Sequence, residues 1–270
     1  MWLWLWLAVW FAIPIQQAPA GATVQAQQAP SSKIWIGRYA EFEEFLRTAK
    51  LVRSEGTPVG VLAPRHAFFE PGGLANGAAV KKISTQRRDG FFESYKSEIA
   101  AYKMDRLLQL DMVPPTVERR VDGELASVQL WIENARMLKD VKAQKLRAPD
   151  AEAWNRQLYR VYTFDHLVGN IDENEGNMLF DPAWNFIKVD HSRAFSDTLN
   201  VKYPLTRIDR PFFERIKALD QATVRREIGN LLEVGALNAM FRRRDAIVQT
   251  FERLAKKNAE DNVFVSWPER

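Results

Sequence analysis

The sequence predicts an α+β chain of two lobes, a small sheet-rich N-terminal lobe followed by a mainly helical C-terminal one. Three observations lead there. Short β-prone runs alternate with Gly and Pro from Leu51 to Ile83. Two more such runs, Pro115 to Arg120 and Ser127 to Ile132, flank the turn pair Asp122-Gly123, and beyond about Asn134 apolar residues return at helical spacing. Strand-forming runs grouped ahead of helix-forming ones segregate into separate layers instead of alternating as a parallel α/β fold does. At 270 residues the chain is long enough for one large domain or for two small lobes around a substantial core.

The chain opens on an unbroken apolar run, Trp2 to Ile15, followed by Gln16-Gln17 and the small residues Ala18-Pro19-Ala20-Gly21-Ala22. That is the layout of a secretory signal peptide. The fourteen apolar residues are fewer than the roughly 20 that a membrane-spanning helix needs. Residues 1–22 are therefore expected to direct export to a periplasm, an extracellular space or a secretory lumen, although no Lys or Arg precedes the run and Lys33 is the first positive side chain. The alternative is that residues 2–15 stay as an uncleaved membrane anchor. Residues 23–32, composed of Ala, Gln, Pro and Ser with few bulky apolar groups, read as a flexible spacer. The sheet-rich lobe is then expected over 33–133 and the helical lobe over 134–270.

Within the first lobe, Ala40 to Lys50 reads as a short helix, and Val59 to Leu62 and Ala78 to Val80 as strands of an antiparallel sheet. Phe92 to Leu110 is a helix by periodicity, with Ala100, Met104, Leu107 and Leu108 on one face and Pro114-Pro115 beyond its end. Asp122-Gly123 is a hairpin turn. In the second lobe, Ala151 to Val168 carries Trp154, Leu158, Val161, Phe164 and Val168 at spacings of three or four, which makes a helix. Met178 to Phe180 and Phe186 to Val189 flank Asp181-Pro182-Ala183-Trp184-Asn185, which reads as a hairpin with a five-residue loop.

Composition excludes several functions. The chain has no cysteine, so a disulfide, a zinc–thiolate site and a cysteine nucleophile are all ruled out. A balance of 38 Lys+Arg against 34 Asp+Glu, net +4, is too small to argue for nucleic acid. The basic runs Arg225-Arg226, Arg242-Arg243-Arg244 and Lys256-Lys257 read as solvated helix faces, with an acidic or phosphorylated partner as the alternative. The three histidines lack metal-binding spacing, and neither a G-x-S-x-G nor a G-K-[ST] motif is present. His166 reads as a helix-packing residue. Asp165 sits late in its helix, where the dipole disfavours a carboxylate, so it should have a partner, with the backbone of the following loop as the candidate.

The chemistry concentrates around the second hairpin. Asp172 and Asn177 lie on the loop before its first strand and Asp190 at the end of its second, and antiparallel pairing brings those ends together. Such oxygen ligands suit Mg²⁺ or Mn²⁺ bridging substrate phosphates. Phosphoryl transfer needs a carboxylate to orient a hydroxyl, an Asn and an Asp for metal, and a lysine on the phosphates. The offset of five from Asp172 to Asn177 equals that of H-R-D-x-x-x-x-N. Upstream, Ala78-Ala79-Val80-Lys81-Lys82-Ile83 matches a V-A-I-K strand, with Lys81 the preferred lysine and Lys82 on the opposite face. Glu98 is the candidate helix partner for that lysine.

These motifs resemble the atypical kinases that include the secretory-pathway casein and xylose kinases, the HipA toxin kinases and the phosphatidylinositol kinases. The resemblance is carried by Glu98-Ile99-Ala100-Ala101-Tyr102 with Asp105-Arg106-Leu107-Leu108, by Val113-Pro114-Pro115, by Phe164 to Asp172 with Gly176-Asn177, and by Asp190-His191-Ser192-Arg193-Ala194-Phe195. It spans about Val59 to Phe195 and is strongest to the secretory kinases. It implies a bilobal kinase-like fold in which Lys81 holds phosphate, Glu98 pairs with it or approaches metal, Asp172 is the catalytic base, and Asn177 and Asp190 bind metal. It further implies ATP, with Mg²⁺ or Mn²⁺, and a protein or glycan hydroxyl as acceptor. Two features depart from the family. Many members follow the catalytic Asp with Arg-His or Ala-His, where this chain has Glu173-Asn174, and Gly56 and Gly60 make only a weak phosphate loop. An active exported kinase and a pseudokinase that keeps the fold as a binding module are both readings of this set, and a signal-anchored structural protein is the third.

Overall fold

The structure is a computed structural model that describes residues 30–56, 64–88, 91–197 and 204–266. The expected signal peptide, the β-prone run Val59 to Leu62 and the candidate phosphate-loop Gly60 all lie outside the described residues. The final residues of the expected spacer are tied down. Ser31 Oγ and Ser32 N both donate to Asp181 Oδ2, at 2.8 and 2.9 Å, so hydrogen bonding to the body of the protein begins two residues before Lys33.

The first half runs α1 (Tyr39–Thr48), β1 (Leu51–Gly56), β2 (Arg65–Phe69), β3 (Gly77–Lys81), β4 (Gln86–Arg88), β5 (Phe91–Glu93), α2 (Tyr95–Leu107), β6 (Thr116–Val121) and β7 (Glu124–Leu130). A five-stranded antiparallel sheet takes the order β1-β2-β3-β7-β6. Side chains alternate across a strand. Ala67, Ala78, Val80, Val128 and Leu130 therefore share one face, where they pack on Trp35 and on Phe42 and Leu46 of α1. Ala79 and Lys81 lie on the other face together with their register partners His66, Gln129 and Ser127. Helix α2 begins later than its apolar pattern suggested, because Ser94 caps it by accepting from Lys96 N.

The second half contains β8 (Arg136–Met137), α3 (Leu138–Ala143), α4 (Ala151–Val168), β9 (Met178–Phe180), β10 (Phe186–Lys188), β11 (Ile208–Asp209), α5 (Arg210–Ala218), α6 (Gln221–Ile228), α7 (Val234–Lys257) and β12 (Phe264–Val265). Its helices bury Phe164, Phe212, Ile216, Met240, Ile247 and Phe251 completely, and each such side chain contributes roughly 1.5–3 kcal/mol of transfer free energy. Two hydrophobic clusters result, one under the five-stranded sheet and one among the helices. Ile187 of β10 belongs to the first cluster and its neighbour Phe186 to the second. The β9–β10 hairpin is thus wedged at the seam between the layers.

The basic runs divide. Arg225, Arg226, Arg242, Lys256 and Lys257 are exposed as expected, but Arg243 is buried. It donates from Nε to Leu167 O at 3.0 Å and from Nη1 to Ser196 O at 2.6 Å. Helical geometry turns adjacent residues about 100° apart, so a run of three arginines cannot lie on a single face. Among the described residues, no helix is long and apolar enough to cross a membrane.

Candidate active site

Lys81 is the last residue of β3, and the sheet aims it at α2. Its ammonium lies 2.5 Å from Glu98 Oε1 and 2.7 Å from Asp190 Oδ1. Strand, helix and hairpin end therefore meet at one nitrogen. Burial works against the charged lysine, but the two carboxylates outweigh it and hold Lys81 above the ordinary lysine range. Burial would likewise push the Asp190 carboxyl up, yet Lys81 beside it brings it down to about 2. Glu98 is pushed up by burial and by the Asp190 charge even with Lys81 in contact. Lys82, on the opposite face, pairs instead with Asp122 at 3.0 Å.

The second oxygen of Glu98 accepts from His191 N at 2.9 Å, and Ser94 N donates to Ser192 O at 3.0 Å. The segment after Asp190 is thus zipped along the start of α2. His191 itself is buried, and burial together with the nearby Lys188 and Lys81 charges lowers its pKa well below the ordinary histidine range, with Phe164 edge-on to its ring at 6.0 Å.

Asp172 reaches the site by a different route. Helix α4 ends at Gly169 with φ 60° and ψ 47°, a left-handed cap that an L side chain resists. A Cβ there would also stand 2.5 Å from Arg243 Cζ, so the buried arginine fixes where the following loop departs. In that loop the Asp172 carbonyl accepts from Asn174 Nδ2 at 3.1 Å and from Asn177 Nδ2 at 3.3 Å. The second of those bonds ties Asn177 to Asp172 through its amide nitrogen and leaves the amide oxygen as an acceptor. Val189 N donates to Asn177 O at 3.2 Å, which brings the hairpin's two ends together. The Asp172 side chain is 46% exposed and accepts from Arg193 Nη1 at 3.1 Å. Partial burial raises its pKa and the Arg193 guanidinium opposes that rise.

Glu173, the departure from the family pattern, turns away from the cleft. Its carboxylate is buried against Lys188 Nζ, which also lies 3.2 Å from Asp165 Oδ2, and Asn170 Nδ2 bridges both acids at 3.3 Å. Burial raises the Glu173 pKa to about 8 against the pull of Lys188. Asp165 is therefore paired with the Lys188 ammonium and the Asn170 side chain. Asn170 N bonds the Asp165 carbonyl, not its carboxylate, so the expected backbone partner is replaced by a lysine. His166 packs as expected, with burial and Arg243 lowering its pKa to about 4.

Four residues that sequence reasoning did not assign shape this site: Glu93, Arg193, Lys188 and Arg243. A signal existed for Lys188, the only charged residue in Phe186-Ile187-Lys188-Val189. Nothing in its local sequence marked Arg243.

The donor chemistry fits a divalent metal that arrives with phosphates. Asp190 is ionised and partly open at 31% side-chain exposure, and Asn177 offers a neutral oxygen. Among the described residues no cluster of three or more His, Asp or Glu could hold a metal ion.

No family model matches the sequence, and no curated relative matches it. Solved structures do. The Golgi casein kinase with Mn/ADP bound superposes with a TM-score of 0.64 at 14% identity, covering 86% of this chain and 80% of that one. A hydra Fam20 structure with sugar gives 0.64 at 15%, over 84% and 92%. The Helicobacter pylori proinflammatory kinase CtkA gives 0.51 at 11%, over 79% and 98%. The chain therefore has a bilobal, atypical-kinase-like fold, in the form seen in the Golgi casein kinase and hydra Fam20 structures.

Proposed function

We propose that this chain is an exported phosphotransferase that uses ATP and Mg²⁺ or Mn²⁺ to phosphorylate a hydroxyl of a protein or glycan acceptor. The observation that carries the reading is the convergence of Lys81, Glu98 and Asp190 from three separate elements on one buried ammonium. A lysine stabilised only as structure would not need a partly open carboxylate as its second partner. In this reading nucleotide lies between the sheet and the β9–β10 hairpin, its base under Ala79 near the crossover Trp131–Glu133. There the rings of His66 and Trp131 stack at 3.8 Å on the same face of the sheet as Lys81.

Lys81 would contact the phosphates, while Asn177 and Asp190 would hold the metal. When bound, the metal neutralises phosphate charge and fixes the terminal phosphoryl group. Asp172 accepts the proton of the acceptor hydroxyl as its oxygen bonds to the terminal phosphorus. The bond from that phosphorus to the bridging oxygen breaks, and ADP leaves with the electron pair. Asp172 is exposed enough to meet an acceptor and its carboxylate is already oriented by Arg193. Exposed Leu74 and Val234 do not discriminate between protein and glycan.

Titration of the full chain with Mg·ATP or Mn·ATP tests the site without a known acceptor. Metal-dependent binding is expected, lost in Asp190→Ala and kept within about twofold in Asp172→Asn. Autophosphorylation or ATP hydrolysis is expected to fall about 10²–10⁴-fold in Asp172→Asn, the usual worth of a positioned general base. Binding with no turnover under any condition would instead favour the non-catalytic nucleotide-binding module, and no binding with either metal would sink both. N-terminal sequencing of the mature protein checks removal of residues 1–22.

A further inference from the structure

We infer that Arg193 is the positioning residue for Asp172, and that Glu93 at the foot of α2 aims it, so that the seating of α2 and the orientation of the catalytic carboxylate are one event. The inference rests on the phosphotransferase reading of Asp172 and adds the group that orients it.

Arg193 is held as a fork. Its Nε and Nη2 both reach Glu93 Oε1, at 2.6 and 2.5 Å, while Nη1 donates to Asp172 Oδ2 at 3.1 Å. Glu93 is fully buried, whereas Asp172 is about half exposed. The anchored end is thus Glu93 and the presented end is Asp172. A planar guanidinium transmits that geometry because its donors are fixed relative to one another, which a lysine cannot reproduce. With Oδ2 engaged, Oδ1 is the Asp172 oxygen left to face a hydroxyl.

Two further contacts register the Arg193 segment against α2, and a third ties it to β3. Ser192 O accepts from Ser94 N, His191 N donates to Glu98 Oε2, and Asp190 pairs with Lys81 of β3. Glu93 directly precedes the cap Ser94. A movement of α2 that withdraws Glu98 from Lys81 must also withdraw Glu93 from Arg193. The two halves of the site, the phosphate-side lysine and the acceptor-side aspartate, are coupled through one helix terminus. The positive charge beside the Asp172 carboxylate comes from the end of the hairpin, while Glu173 lies buried against Lys188.

Steady-state kinetics on the full chain, with ATP and Mn²⁺, tests the coupling. Arg193→Ala is expected to lower kcat by about 10²-fold, the scale of a misaligned reacting group, with nucleotide affinity within about twofold, since an orienting contact acts on the transition state. Added guanidinium ion should restore part of the loss, Arg193→Lys should restore less, and Glu93→Gln should reproduce the Arg193→Ala phenotype in milder form. An unchanged kcat in Arg193→Ala, or a loss that tracks weakened nucleotide binding, would overturn the inference. If the wild-type chain binds nucleotide but never turns over, the phosphotransferase reading fails and a second measurement decides the geometry. Side-chain ¹⁵N resonances of Arg193 should be shifted in both Asp172→Asn and Glu93→Gln. A spectrum indifferent to Asp172→Asn would reject the contact itself.

Discussion

Two clusters of lysine and carboxylate flank the β9–β10 hairpin, and they are built from the same residue types. On the cleft side, Lys81 sits between Glu98 and Asp190; on the sealed side, Lys188 sits between Asp165 and Glu173. The difference lies in access. Every side chain of the sealed cluster is 1% exposed or less, while Asp190 is 31% exposed. The sealed set balances burial with internal charge and can bind nothing further. The open set leaves a carboxylate oxygen at the cleft.

Backbone geometry separates the two. Lys188 and Asp190 are two residues apart and on a regular strand would point the same way. Asp190 instead has φ 61°, a left-handed conformation that Asp tolerates better than most side chains. The strand stops at Lys188, and the turn sends Asp190 to Lys81.

The largest expected effect falls on the sealed side. Lys188→Met leaves two buried acids without their cation and should destabilise the fold by about 3–5 kcal/mol, read by urea unfolding. Lys81→Met should cost less stability, because Asp190 can turn to water, and should remove nucleotide binding. Equal stability losses with binding retained in Lys81→Met would erase the distinction between the clusters.

The next effect is in pH, and the two clusters should respond with opposite sign. Glu173 rises from an ordinary 4.5 to about 8. Between those values the folded chain holds a proton that the unfolded chain has released, so stability falls as pH rises through the window and levels off above about 8. The slope approaches about 1.4 kcal/mol per pH unit for one proton. Asp190 moves from 3.8 down to about 2, so its contribution is present above 3.8 and is lost as pH falls towards 2. Unfolding free energies measured from pH 3 to 8 should lose their neutral-side slope in Glu173→Gln and part of their acid-side slope in Asp190→Asn. A neutral-side slope that survives Glu173→Gln would place the proton elsewhere.

The smallest effect is at the rim. Lys142 and Glu175 pair on the surface beside the same loop, with side chains 60% and 45% exposed. Glu175→Gln should change stability by less than about 0.5 kcal/mol, and a larger change in thermal unfolding would mean that the loop depends on this pair.

Much of the architecture was readable along the chain. The helix Ala151–Val168 was expected at its observed bounds, and the hairpin that brackets Asp172, Asn177 and Asp190 differs from its expected form by one residue, Val189. Those elements depend on period, turn residues and caps, all of which are local. The choice of Lys81 over Lys82 followed from matching the Val-Lys step to V-A-I-K, and strand alternation put Lys82 on the opposite face, where it pairs with Asp122.

What the sequence by itself determined is therefore the order of elements and the residue types that they carry to the cleft. Tertiary structure decided the partners. Arg193 joins Glu93 to Asp172 across separations of 100 and 21 residues, and Lys188 bonds Glu173 across 15. Arg243 closes the end of α4 from 76 residues away. No local pattern encodes such pairings, because the worth of a charge depends on burial and on which opposite charge arrives beside it. By local pattern Arg243 was one of three surface arginines, and by resemblance Glu173 was a departure; packing made the first a buried clasp on α4 and the second the buried partner of Lys188.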